Sequence, residues 1–145
     1  MALRYHNVYG PGMPRDTPYS GVAAIFRSAL EDGESPRVFE DGGQMRDFVH
    51  VDDVAAANVA AVHSDIDGFA AFNICSGQPI SILQVAQQLS AAGGGAAPVI
   101  TGQYRDGDVR HIVADPARAR GVIGFSAKVD PLTGLREFAS APLRD

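Results

Sequence analysis

Two arginines stand where the chain turns. The stretch "GGQMRDF" sets Arg46 at the start of a strand leaving a glycine turn, and "YRDGDVRH" sets Arg105 and Asp108 around Gly107. A guanidinium presents a planar fork of N–H donors that matches two phosphate oxygens, and a carboxylate accepts from sugar hydroxyls. The same residues can instead satisfy one another, with Arg46 or Arg105 forming weak surface ion pairs to Asp47, Asp106 or Asp108. Residue types alone leave both readings open.

The other chemically capable residues carry less. His6, His50, His63 and His111 form no pair at metal-ligand spacing, and Cys75 is isolated. Asp52 and Asp53 stand before a helical run, where carboxylates cap free N–H groups and complement the dipole. The run Gly93-Gly94-Gly95 follows a helix, which reads as a stop and not as a phosphate cradle. No G-x-G-x-x-G turn follows a strand, and no G-x-S-x-G elbow is present. No tyrosine has a lysine four residues on, because the sole lysine, Lys128, lies far from Tyr5, Tyr9, Tyr19 and Tyr104.

Composition narrows the classes further. A chain of 145 residues with 46% hydrophobic and 20% charged content is globular and fits one domain. Its net charge of -5 argues against a nucleic-acid groove while permitting a local anion site. No apolar run approaches the ~20 residues of a membrane span, and the first residues lack the basic region and apolar core of a signal peptide. One cysteine excludes an internal disulfide framework and suits a reducing cytoplasm.

The positioning elements read as alternating strands and helices, hence α/β. Ala2 to Tyr9 is a strand stopped by Gly10-Pro11-Gly12, an abrupt opening that suggests the middle of a fold. Ser20 is a candidate N-cap for a helix ending at Gly33, with Val22, Ile25, Phe26 and Leu30 on one face. Val38-Phe39 and Arg46 to Val51 read as strands, with "EDGG" as a turn between them. Asp52 or Asp53 caps "VAAANVAAVHS", a helix apolar nearly all round and so expected to be packed on several sides. "AAFNIC" is a strand, and Ser81 caps the helix "ILQVAQQLSAA". Val99 to Thr101 is an edge strand, and Asp115 caps a short helix with Pro116 in its first turn. "LTGLREFA" is the last helix.

Four blocks, "LRYHNVYGP", "RVFEDGGQMRDFVHVDDVAAA", "FNICSG" and "RDGDVRHIVADPARA", occur in order over nearly the whole chain. Together they resemble the C-terminal half of extended short-chain dehydrogenase/reductases, the NAD-dependent nucleotide-sugar epimerases and dehydratases, and most of all UDP-glucose 4-epimerase-like members. The resemblance implies the C-terminal substrate-binding lobe of an extended Rossmann-type enzyme. Residues 1–9 would be a late strand of the Rossmann sheet and residues 10–145 mainly the lobe. The N-terminal dinucleotide-binding part, with its glycine-rich motif and Tyr-x-x-x-Lys pair, would be missing.

Residue by residue, the resemblance implies that Tyr5 lies beside the nicotinamide of NAD and that Asn7 contacts the pyrophosphate of a nucleotide-diphosphate sugar. Ser20 and Val22 would open a helix whose N–H groups face the same phosphates. Phe39 would stack on the base, Arg46 and Arg105 would clamp the phosphates, and Asp108 would accept from the ribose. Phe48 stands where some members carry tyrosine, and Ile112 where some carry a base-proximal tyrosine. The implied whole is an enzyme of which this chain holds the nucleotide end, is inactive alone, binds NAD weakly at best and self-associates. Two other readings stay open: a non-catalytic nucleotide-diphosphate-binding or interaction module, and an inert truncated remnant.

Overall fold

A computed structural model describes residues 1–15 and 21–144. The opening stretch is two strands, β1 (Ala2–Tyr5) and β2 (Asn7–Tyr9), which belong to different sheets. The break falls at His6, whose N–H is the last to bond the first partner (Ile74 O, 3.1 Å), while the N–H of Asn7 already bonds Asp47 O (3.0 Å). Helix α1 (Val22–Glu31) follows, and its N-cap is Gly21, which supplies no side-chain cap. Ser20, the expected cap, lies outside the described residues.

The expected Arg46 to Val51 strand is likewise divided, at Asp47. Its pieces are β4 (Met45–Arg46) and β5 (Phe48–His50), preceded by β3 (Arg37–Val38). Helix α2 (Val51–Val62) is capped by the ring of His50, whose Nδ1 accepts from the Asp52 N–H, and not by either aspartate. Asp53 is instead buried and accepts from the N–H groups of Lys128 (2.9 Å) and Val129 (3.1 Å). Nor is α2 packed all round: Val51, Val59 and Val62 are exposed. Its buried residues Asp53, Val54 and Ala57 share one face, and the three valines lie on the other.

Beyond it run β6 (Ala71–Ile74), β7 (Ile80–Ser81), α3 (Ile82–Gly93), β8 (Val99–Ile100), β9 (His111–Ile112), α4 (Ala117–Ile123) and α5 (Pro131–Phe138). Ser81 caps α3 in a full capping box with Gln84, and Gly94 ends it in the left-handed conformation. Pairing is β1 with β6, β2 with β5, β3 with β8 and β4 with β9, all parallel, plus β4 with β7 antiparallel. The short strands β7 and β9 have no hydrophobic alternation of their own, so the sequence does not announce them.

Two cores result. Successive side chains on a strand face opposite ways, so Phe48 enters one core with Tyr9, Phe26, Leu89, Leu135 and Phe138. Its neighbour Val49 enters the other, with Phe72, Ile74, Ala57 and Phe125. The β2–β5 pair is therefore the wall between them. Tyr9 is edge-on to Phe48, His50 and Phe138. Burial first, then the charges of Asp130, Asp53 and Glu137, keeps its phenol protonated well above the usual range.

Helix α5 can approach this ring only because residue 134 is glycine. A Cβ there would run into the Tyr9 hydroxyl and stand 2.7 Å from Val129 Cγ1. Gly134→Ala is expected to destabilise the fold by about 1–3 kcal/mol, read as a lowered midpoint in urea unfolding followed by circular dichroism.

Candidate ligand-binding cleft

A cleft of about 570 Å³ opens between α1, the turn after β3 and the 101–110 segment. Asn7, Val22, Phe39, Arg46, Arg105 and Asp108 all line it, although they come from four distant stretches of chain. Three of the remaining sequence candidates lie elsewhere. Phe48 is 2% exposed, a core side chain packed edge-on to Tyr9 beneath the cleft and absent from its lining. The Tyr5 hydroxyl donates to Asn58 Oδ1 (2.9 Å) at the end of β1, outside the lining. Ile112 sits on β9 opposite Arg46 and is exposed, also outside the lining. Ser20 lies outside the described residues.

Neither arginine pairs with a carboxylate among the described residues. Among the described residues, the ion pairs at that end of the molecule go to Arg110, which reaches Glu40 (2.8 Å) and Asp41 (2.7 Å) in the "EDGG" turn. The Arg110 hydrogen bond, then the Gly43 N–H, lowers the Asp41 pKa to about 2. Arg46 donates to three carbonyls, those of Met45 (2.9 Å), Arg110 (2.8 Å) and Val109 (2.7 Å), and so ties the lead-in of β9 to β4. Arg105 lays its guanidinium over the Phe39 ring, 5.6 Å from the centroid. The guanidinium groups of Arg46 and Arg105 thus rest on carbonyl dipoles and a π face, while Asp32, Glu34 and Asp108 line the same cleft.

Asn7 and Arg46 are set by the residue between β4 and β5. Asp47 is fully buried. Its carboxylate accepts from Ser76 N (2.6 Å), Ser76 Oγ (2.8 Å) and Gly77 N (2.8 Å). Its carbonyl accepts from both the backbone N–H and the Nδ2 of Asn7 (3.0 and 2.9 Å). The adjacent Cys75 thiol is pushed up to about 11 by burial first and by the Asp47 charge second, which makes it an unreactive core thiol.

Sequence reasoning misses Ser28, Gln44 and Ile82 in the cleft wall. Ile25 and Phe26 read as helix core, and that same α1 face also floors the cleft; the 3.6-residue period marks the face but not what covers it. Gln44 Nε2 donates to Phe39 O (3.2 Å), fixing the turn beneath the ring.

A dinucleotide finds little here. The sequence has no glycine-rich strand-to-helix turn, and Tyr5, the one candidate contact, is engaged with Asn58. The residues present do not fit NAD by themselves. Among the described residues no cluster of three or more His, Cys, Asp or Glu could hold a metal ion, and no helix is long and apolar enough to cross a membrane.

Asp47→Ala removes the acceptor of buried N–H groups at Ser76 and Gly77. The expected cost is about 2–4 kcal/mol, measured as the fall in unfolding free energy in urea relative to the unaltered chain.

The model of the NAD dependent epimerase/dehydratase family matches residues 1–75. The chain is 37% identical over 136 residues to the dTDP-L-rhamnose 4-epimerase of Burkholderia thailandensis, covering 94% of this chain and 38% of that enzyme. Its structure is similar to that of the Thermotoga maritima UDP-glucose 4-epimerase with UDP-glucose (TM-score 0.82, 37% identity, 94% of this chain and 43% of that one). It is also similar to the Thermus thermophilus UDP-glucose 4-epimerase complex with NAD (TM-score 0.79, 31% identity, 94% of this chain and 44% of that one). The chain spans about two fifths of the length of these relatives. NAD is the cofactor of the complete enzymes, and the α/β fold seen here matches one part of their Rossmann-type architecture. The 145-residue chain therefore belongs to the NAD-dependent epimerase/dehydratase family of extended short-chain dehydrogenase/reductases.

Proposed function

We propose that this chain is the nucleotide-sugar-binding part of an NAD-dependent sugar-nucleotide 4-epimerase of the UDP-glucose 4-epimerase type. The observation that carries the reading is the meeting in one cleft of Asn7, Phe39, Arg46, Arg105 and Asp108, with both arginines free of carboxylate partners among the described residues. Arg46 and Arg105 take the diphosphate, Phe39 takes the base, and Asp108 accepts from ribose hydroxyls. Asn7 adds an amide at the phosphate end. These groups hold the nucleotide while the sugar is processed, which is a positioning role.

The chemical step belongs to parts that this sequence does not contain. Proton abstraction needs a base within hydrogen-bond reach of the sugar hydroxyl, and no tyrosine here is paired with a lysine. NAD, when bound by a complete enzyme, supplies the hydride acceptor. The natural partner is then a dinucleotide-binding Rossmann half, in a reducing cytoplasmic setting that suits the buried thiol of Cys75. Residues 1–9 would supply a late strand to its sheet. In support, β1 has one strand neighbour, β6, among the described residues, and Tyr5, Val51, Val59 and Val62 on β1 and α2 are exposed. Without that half, the open strand edge and apolar side chains favour self-association.

Two measurements test the reading. In titration calorimetry UDP should bind the wild-type chain, and Arg105→Ala should weaken it about ten- to a hundredfold; equal affinities would remove Arg105 from the site. In an epimerase assay with NAD and UDP-glucose, the chain alone should show no turnover, and activity should appear when a separately expressed Rossmann half is added. Turnover by the chain alone would overturn the proposal.

A further inference from the structure

The ring proposed to receive a base already carries the Arg105 guanidinium. Arg105 stacks on Phe39, and the stack is braced from both sides. Below it, the Phe39 carbonyl accepts from Gly42 N (3.1 Å) and Gln44 Nε2 (3.2 Å). Across it, Glu40 N bonds Gln103 O (2.7 Å), which clips the turn after β3 to the segment carrying Arg105. Behind it, Asp108 N returns to Arg105 O (3.2 Å) through Gly107, whose φ of +85° only glycine adopts readily. Ring and guanidinium are presented to each other by two tied segments, next to Arg46.

We infer that the Phe39 ring holds Arg105 back from the phosphates until a nucleobase takes its place. A nucleobase that stacks on the ring displaces the guanidinium, which is then released to the phosphates; one aromatic contact replaces another. A diphosphate without a base has to draw Arg105 off the ring with nothing to take its place. Drawing Arg105 off the ring costs either ligand the same contact, so the hold weakens the phosphate clamp for any diphosphate, and a nucleoside diphosphate recovers that cost through the stacking of its base. The inference rests on the nucleoside-diphosphate reading of the cleft and adds a restraint on the phosphate clamp that the clamp itself does not require.

The test compares UDP and inorganic pyrophosphate on the wild-type chain, Phe39→Leu and Phe39→Tyr, with folding checked by circular dichroism. Loss of the ring in Phe39→Leu should free Arg105, so pyrophosphate should bind about two- to fivefold tighter. The preference for UDP over pyrophosphate should fall about 5- to 150-fold, the value of one base–aromatic stack. Phe39→Tyr keeps the ring and should keep both affinities. Unchanged or weaker pyrophosphate binding in Phe39→Leu, with UDP still bound by the wild type, overturns the exchange and leaves the nucleotide site standing. Wild-type binding of neither ligand overturns both.

Discussion

A single buried carboxylate governs the geometry of this chain. Asp47 lies where three sheets meet: the β1–β6 pair ends beside it, the β2–β5 pair begins beside it, and the β7–β4–β9 sheet enters through Arg46. Burying a charge is costly unless hydrogen bonds compensate it. Here the donors are N–H and O–H groups of Ser76 and Gly77, which come from the far end of β6. The chain can satisfy Asp47 only when β5 and β6 lie at one separation and one register. Asparagine would turn an acceptor into a donor facing another donor, and glutamate would need room that a fully buried site lacks.

The cleft inherits its shape from that junction. Asn7 is held to the carbonyl of Asp47, and Arg46 is its chain neighbour, so the amide and the guanidinium are spaced by backbone and not by flexible side chains. Arg46 then passes the constraint on, through the carbonyls of Val109 and Arg110, to a loop that has few apolar anchors of its own. Arg110 secures the same loop to Glu40 and Asp41 from outside. Rigid strands thus position an exposed loop, a common division of labour at binding sites.

How much of this is legible in the sequence depends on the range of the cause. Local causes read clearly: the Ser81 cap, the left-handed stop at Gly94 and the β-branched pair Val99–Ile100 all follow from neighbours a few residues away. The breaks at His6 and Asp47 are invisible there, because a strand that changes partner keeps its β-like composition. The capping role expected of Asp53 fails for a similar reason, since its partners, Lys128 and Val129, lie more than seventy positions on. The cleft residues emerge from motif blocks whose spacing has meaning only as a set. Phe48 and Ile112 belong to those blocks too, and only burial in the core, for Phe48, and a place on the sheet outside the lining, for Ile112, separate them from the cleft.

The parallel ladders have a consequence for how the chain reaches this state. Asn7 pairs with Phe48, Arg37 with Val99, Met45 with His111 and Ala2 with Ala71, so each ladder closes a loop of several dozen residues. Such contacts demand loop-closure entropy before they return any stabilisation, which slows folding. The β2–β5 ladder closes the shortest of these loops and separates the two cores, so it is the favoured place to nucleate. The β1–β6 ladder closes a longer loop, which contains the whole of α2, and so carries the larger entropic cost. Whenever that ladder is open, the edge of β1 is exposed to pairing with other chains, the condition in which incompletely folded chains aggregate.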